Sequence, residues 1–244
     1  MDKVAVLVET RKHKALPFVI NNVMSVLSDD WHLQIFHGTD NFEYINEFVS
    51  NENYFDKTTF TNLNIKSITA DDSSLDIMLT TKFWNQVVAE NVLYFECDTM
   101  LCTNSKYKIE DYMHHNYIGG WWGFPFHISS LEQTYDRVMN GGVSFRKKKF
   151  MIDIIENKLE EYLAKGGNPC EDYFVSACVT DRPKVKEVLS FSIDSSYMYP
   201  LDDNAPFGLH KPWGVPGKEN SGQYYTQIKR VCDDVEILEE LHNV

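Results

Sequence analysis

The sequence predicts an α/β fold with a mostly parallel central sheet and helices on both faces. Three observations carry this expectation. A continuous apolar run at residues 4–8 reads as a fully buried parallel strand. Strand-like and helix-like segments alternate after it, the signature of right-handed crossovers. A second apolar run at 92–95 ends in two acids, Glu96 and Asp98, at the strand end where open α/β sheets bind ligands.

The first strand gives way to the polar, cationic turn Glu9-Thr10-Arg11-Lys12-His13-Lys14. A helix is expected next, with Pro17 in its first turn and Phe18, Val19, Val23, Val26 and Leu27 at helical spacing. Residues 31–36 predict a second strand and 42–49 a second helix. Residues 75–88 read as a helix with a break near Thr80-Thr81. Residues 117–128 are aromatic and Gly-rich, with Trp121 among the rings available to face a sugar. Asn140-Gly141-Gly142 precedes a short strand at 143–145. Residues 148–163 form an amphipathic helix closed by Lys165-Gly166-Gly167, and 170–179 a shorter one. Pro and Gly are dense from 200 to 222, which reads as a structured loop. Asp233, Asp234, Glu236, Glu239 and Glu240 crowd the C-terminus as a solvated helix face.

At 244 residues, with no repeat, low-complexity tract or linker, a single domain over 1–244 is expected. The formal charge of −13 excludes a nucleic-acid polyanion as the expected partner and disfavours an anionic membrane surface. A small anionic substrate remains compatible if a metal or a few local cations hold it. The five cysteines include no Cys-x-x-Cys pair, so reduced thiols in the cytoplasm are expected. No apolar stretch reaches bilayer length, and no membrane insertion is expected.

Glu96 and Asp98 stand at i and i+2 and therefore leave a strand on the same face. Two acids sharing one buried spot call for a cation, and a hard divalent metal with positions open for phosphate oxygens fits. Two solvated acids at a strand end are the plainer alternative. Val8 and the turn Glu9-Thr10-Arg11 stand where doubly wound folds bind nucleotides, and Arg11 suits phosphate or a base. A solvated charged loop accounts for that turn equally. Paired glycines at 141–142 let backbone approach a ligand, and Asn140 offers hydrogen bonds to hydroxyls; a tight hairpin turn explains them as well. Glu171-Asp172 follows Asn168-Pro169 and reads either as acids complementing a helix start or as a general base. His210 and Lys211 lie in a segment rich in Gly and Pro, one suited to a metal shell and the other to a diphosphate. That segment reads as a lid. The remaining histidines have no spacing that suggests a ligand set.

In this order, Val-Glu-Thr-Arg-Lys-His at 8–13, Gln-Ile-Phe-His-Gly-Thr at 34–39, Tyr-Phe-Glu-Cys-Asp-Thr at 94–99, Asn-Gly-Gly-Val-Ser-Phe-Arg at 140–146 and Pro-Phe-Gly-Leu-His-Lys-Pro-Trp at 206–213 resemble a family of small GT-A-fold glycosyltransferase-like proteins. That family occurs in large DNA viruses, bacteria and fungi. The resemblance implies a metal-dependent transfer of sugar from a nucleotide-sugar, by default a uridine diphosphate sugar, to a hydroxyl of a glycan or protein acceptor. It implies Mn2+ or Mg2+ held by Asp98, Glu96 and His210, with Glu96 in the place of the first Asp of an Asp-x-Asp motif. It implies a nucleotide site of Val8, Glu9, Thr10, Arg11, Cys97 and Lys211, and a sugar site of Asn140, Gly141, Gly142 and Trp121. Asp172, ahead of Glu171, is the implied base of an inverting reaction. Residues of about 1–100 would bind nucleotide, about 101–222 sugar and acceptor, and about 223–244 would form an acidic C-terminal helix. The expected location is cytoplasmic, in the host if the source is viral.

Glycogenin-like retaining enzymes carry His-x-x-Gly-x-x-Lys-Pro-Trp. Gly208, Lys211, Pro212 and Trp213 keep that spacing, but Ala205 holds the His slot and a His stands at 210. Retention therefore stays open beside inversion. So do a sugar-nucleotide nucleotidyltransferase and a non-enzymatic sugar- or partner-binding module.

Overall fold

A computed structural model describes residues 1–68, 77–122, 128–198, 203–217 and 220–243. Strands β1 (Lys3–Glu9), β2 (His32–His37), β3 (Thr58–Asn62) and β4 (Asn91–Phe95) lie parallel in the order β3-β2-β1-β4. Val4, Ala5, Val6 and Leu7 have no outward face in β1, which is why that strand lacks alternation. Helix α1 (Leu16–Val26) takes Pro17 in its first turn and buries Leu16, Val19, Ile20 and Val23. Helix α2 (Phe42–Val49) matches its expected span. Helix α3 (Thr81–Gln86) begins where the break is expected: Phe83 N donates to Thr80 Oγ1 at 3.2 Å, a side-chain N-cap. The start of the expected 75–88 helix lies outside the described residues, as do residues 123–127 of the aromatic stretch.

The second half of the sheet is mixed. Strand β7 (Met139–Lys147) runs antiparallel to both β4 and β6 (Tyr117–Trp121). Strands β8 (Ser192–Asp194), β9 (Gly208–His210) and β5 (Thr99–Leu101) complete the order β3-β2-β1-β4-β7-β6-β8-β9-β5. Helices α4 (Lys148–Ala164), α5 (Glu171–Cys178) and α6 (Val185–Phe191) fill the connection from β7 to β8. One apolar core spans both halves, from Val4 and Leu33 through Phe95 and Phe145 to Ile193 and Leu209.

Five expectations are corrected. Asn140-Gly141-Gly142 is not a hairpin turn but part of β7, where the pairing jumps from Gly119 opposite Ser144 to Gly120 opposite Asn140. The intervening residues form a bulge that leaves the ladder to β6, while Val143 stays paired with Phe95 of β4. The segment 206–213 is not a mobile lid: Gly208–His210 is a sheet strand, and Phe207 and Leu209 are buried. A three-residue strand with two Gly/Pro-rich flanks is too short for its period to be read. The acidic C-terminus is two helices, α7 (Tyr225–Val231) and α8 (Val235–His242), separated where Asp234 takes a left-handed φ of 64°. Trp121 lies in the core beside Tyr135, 2% exposed, so its ring offers no face to a sugar. Finally, Cys102 and Cys232 form a disulfide across 130 residues, so the thiols are not all reduced. Pairing at that separation leaves no spacing signature, and the cytoplasmic expectation loses its main ground.

Candidate functional site

Strand β4 ends at Phe95, and Glu96 continues its course by donating its N–H to Gly142 O at 3.0 Å. A tight turn follows, held by Thr99 Oγ1 donating to Glu96 O at 2.7 Å. Asp98 then fixes the far side: its carbonyl accepts from Lys211 N at 3.1 Å. Lys211 adopts a left-handed φ of 43° directly after β9. Such a conformation costs a non-glycine residue energy and clusters at functional sites. Here it sets Lys211 Nζ 3.3 Å from Asp98 Oδ2.

His210 Nε2 lies 3.3 Å from Glu96 Oε2 and 3.3 Å from Asp98 Oδ1. Its Nδ1 is 2.7 Å from Asp194 Oδ1, and both side chains are buried. Burial alone would raise the Asp98 carboxyl, but His210 and Lys211 outweigh it and hold it well below the usual carboxylate range. Burial and the Lys211 charge would lower the His210 imidazole, yet Asp98 and Asp194 hold it well above its ordinary value. Asp98 Oδ1 and His210 Nε2 are nonetheless buried without a hydrogen-bond partner. A cation among Glu96, Asp98 and His210, whose ligand atoms lie within 4.8 Å of one another, would satisfy both. The donor set, two carboxylates and one imidazole, suits Mn2+ and Mg2+ chemistry with the remaining positions left to a ligand's oxygens. Asp194 would orient the histidine from behind, as carboxylates commonly do in metal sites.

A cleft of about 430 Å³ opens beside this cluster, lined by Val8, Glu9, Thr10, Arg11, Ile68, Tyr94, Glu96, Cys97, Asp98 and Lys211. It gathers every residue expected to bind nucleotide. Arg11 donates from Nε to Glu9 Oε1 at 2.9 Å and from Nη2 to Glu9 Oε2 at 2.7 Å, and its Nη2 is 3.2 Å from Cys97 Sγ. Burial pushes the Glu9 carboxyl up, and the Arg11 hydrogen bonds bring it below its ordinary value. Glu9 is buried while the Arg11 side chain is 60% exposed, so a positive group is held rigidly at the rim.

The bulge in β7 brings in the third group. A Cβ on Gly142 would lie 2.7 Å from the His210 ring, and one on Gly141 would lie 2.4 Å from Asp172 Oδ1. Only glycine fits between these side chains. Asn140 Oδ1 accepts from Gly142 N at 2.8 Å, so this amide shapes the bulge. Glu171 is not available as a base: it is buried against Arg146, whose Nη1 donates to its Oε1 at 2.5 Å. Arg146 is itself fully buried, 4.7 Å from the Tyr94 ring centroid. Asp172 is half-buried and unclamped by that arginine in any hydrogen bond. Burial, then the neighbouring Glu171 charge, raises its carboxyl well above the ordinary range.

Asp194 carries no signal that singles it out in the sequence, and Arg146 shows there only as the last residue of the Asn-Gly-Gly-Val-Ser-Phe-Arg stretch, with no role attached to it. Asp194 resembles Glu96 in ending an apolar strand, but β8 has three residues and shows no pattern. His242 is equally unannounced. Its Nε2 lies 3.0 Å from Cys97 O, and its ring is 4.5 Å from His13 and 5.1 Å from Trp213.

No curated protein matches the chain. Solved structures that share its fold include the glycosyltransferase GlyE of Streptococcus pneumoniae TIGR4, at 12% identity and TM-score 0.58, covering 100% of this chain and 61% of that one. The chain thus spans less than two thirds of GlyE. The galactosyltransferase LgtC, solved with donor and acceptor sugar analogs, aligns at 12% identity and TM-score 0.59, over 98% of this chain and 95% of its own. The bifunctional glycosyltransferase WbbM aligns at 10% identity and TM-score 0.54, over 99% and 51%. The fold is therefore the GT-A fold. A family model described as "Protein of unknown function (DUF5672)" matches residues 57–210, more than half of the sequence, and the chain belongs to that family.

Proposed function

We propose that the protein is a metal-dependent glycosyltransferase that moves a sugar from a nucleotide-sugar, by default a uridine diphosphate sugar, to an acceptor hydroxyl with inversion. The observation that carries this reading is the meeting of Glu96, Asp98 and His210 with Lys211 and the Glu9–Arg11 pair at one cleft. A bound Mn2+ or Mg2+ would supply Lewis-acid neutralisation of the leaving diphosphate. Lys211 adds fixed positive charge where that charge develops, and Arg11 adds more at the rim. Gly141 and Gly142 make room for Asp172 and the His210 ring against β7, and the donor sugar is held beside this bulge, near Asn140. Asp172, next to Gly141, accepts the proton of the attacking hydroxyl. In this reading the single domain divides its work, with the nucleotide held mainly by residues before 100 and the sugar and a glycan or protein acceptor by those after. A nucleotidyltransferase is less favoured because the turn after β1 is Glu9-Thr10-Arg11 and not a Gly-rich basic loop.

One observation favours retention as a second reading: Lys211, in the Lys-Pro-Trp spacing of the retaining enzymes, meets Asp98 at the cluster, although Ala205 holds their His position. Calorimetry with uridine diphosphate, with and without Mn2+, tests the shared core of both readings; metal-dependent binding is expected, and equal affinity in the two conditions overturns it. NMR of the product anomer then separates inversion from retention.

A further inference from the structure

Outside the cleft, a second set of ligating side chains comes together. His114 and His115 close the turn ahead of β6, and their ring centroids stand 3.9 Å apart. In an extended strand neighbouring side chains would diverge to opposite faces; the turn sends both rings to one side. The two Nε2 atoms converge on a single oxygen, Glu187 Oε1 on α6, at 3.5 Å from His114 and 3.3 Å from His115. Glu187 is not free to swing away, because its other oxygen accepts from Lys184 N at 2.7 Å in a capping box.

These separations are long for hydrogen bonds, which centre near ~2.9 Å. They match the edge of a coordination tetrahedron: donors about 2.0–2.1 Å from a zinc-class ion stand about 3.3–3.4 Å from each other. His115 is 4% exposed, so its Nε2 is held facing Glu187 away from bulk water. Two imidazoles and one carboxylate are the donor set that zinc-class ions favour over magnesium-class ones. The His114 side chain is 58% exposed, which leaves the fourth side of the tetrahedron to water.

We propose that His114, His115 and Glu187 form a second metal site, for a zinc-class divalent ion, separate from the Glu96–Asp98–His210 cluster. The ion ties the turn before β6 to α6, which runs directly into β8 and Asp194, the partner of His210. Its role is thus to brace the wall behind the cleft, and it stands or falls independently of any transfer reaction.

The test is a calorimetric Zn2+ titration of the full chain carrying Asp98→Asn, which disables the other cluster, with thermal melting in parallel. One Zn2+ equivalent and a raised melting temperature are expected. Adding His114→Ala, a change at an exposed position that spares the fold, should weaken Zn2+ binding at least about tenfold through loss of one of three ligands and abolish the melting shift. Glu187→Gln should do the same while keeping an oxygen for the Lys184 cap. Failure of the Asp98→Asn protein to take up Zn2+, or uptake unchanged by both further substitutions, would overturn the proposal.

Discussion

Asp98 faces two cations, His210 and Lys211, and still has one buried oxygen without a hydrogen bond. Its replacement is therefore the most direct probe of the cleft. Asp98→Asn keeps the size of a side chain that lies in the turn after β4 and outside the apolar core, so the protein should still melt cooperatively, at a lower temperature for want of the carboxylate that faces His210 and Lys211, yet lose the Mn2+ dependence of uridine diphosphate binding. Unchanged Mn2+-dependent affinity in that variant would show that the cluster holds no metal. Asp172 makes a prediction in two directions. As a base it acts only when ionised, and its carboxyl is raised, so turnover should climb with pH through a value above the ordinary carboxylate range. The same raised carboxyl makes folding stability decline as pH rises through it, because the half-buried, Glu171-facing charge is the unfavourable form. Asp172→Asn should accordingly lower kcat by at least about a hundredfold with donor affinity kept, while its melting temperature at neutral and alkaline pH equals or exceeds the parent's. A helix-start role, open to Asp172 in the first turn of α5, would instead lower stability and spare turnover, so melting temperature and turnover together separate the two.

At the scale of elements, the site depends on a bulge, and a bulge is tested through its glycines. Gly142→Ala puts a Cβ 2.7 Å from the His210 ring, below contact distance, so either the ring or β7 must shift. Overpacking of this kind costs about 1–3 kcal/mol, and the expected signature is weaker Mn2+-dependent nucleotide binding in a protein that still melts cooperatively. Full retention of that binding would mean that His210 is not part of the metal group. The elements also divide sharply by how readable they are. β1, β2, β4, α1, α2, α4 and α5 are long or strongly apolar, and their period announces them. β3 carries Thr58, Thr59, Thr61 and Asn62 around one Phe60, and β5, β8 and β9 have three residues each, so hydropathy says nothing there. The site follows the same division. Glu96, Asp98, Asp172, His210 and Lys211 are visible as polar residues where apolar pattern stops. Asp194, which fixes His210, ends a buried strand of three residues, and its part becomes visible only when the chain folds.

The whole molecule is closed by a contact that links its end to its middle. The disulfide from Cys102, just after β5, to Cys232, between α7 and α8, ties the C-terminal helix pair to the sheet edge. That pair reaches the cleft: His242 meets Cys97 O and stacks beside His13 and Trp213, and Lys14 Nζ donates to Asn243 Oδ1 at 2.6 Å. The cross-link spans 130 residues, so most of its effect lies in restricting the unfolded chain. Cys102→Ser should therefore lower unfolding free energy by about 2–4 kcal/mol in urea titrations of the oxidised protein. Reductant should bring the parent to the midpoint of the variant and leave the variant itself unmoved. Buried Val235 and Leu238 keep α8 partly docked by hydrophobic contact even then, so the loss should appear first as faster proteolysis after residue 220 and as weaker nucleotide binding, before the sheet unfolds. A parent whose midpoint ignores reductant would mean that the two thiols are not joined in solution, and the C-terminal helices would then be held over Cys97 by packing alone.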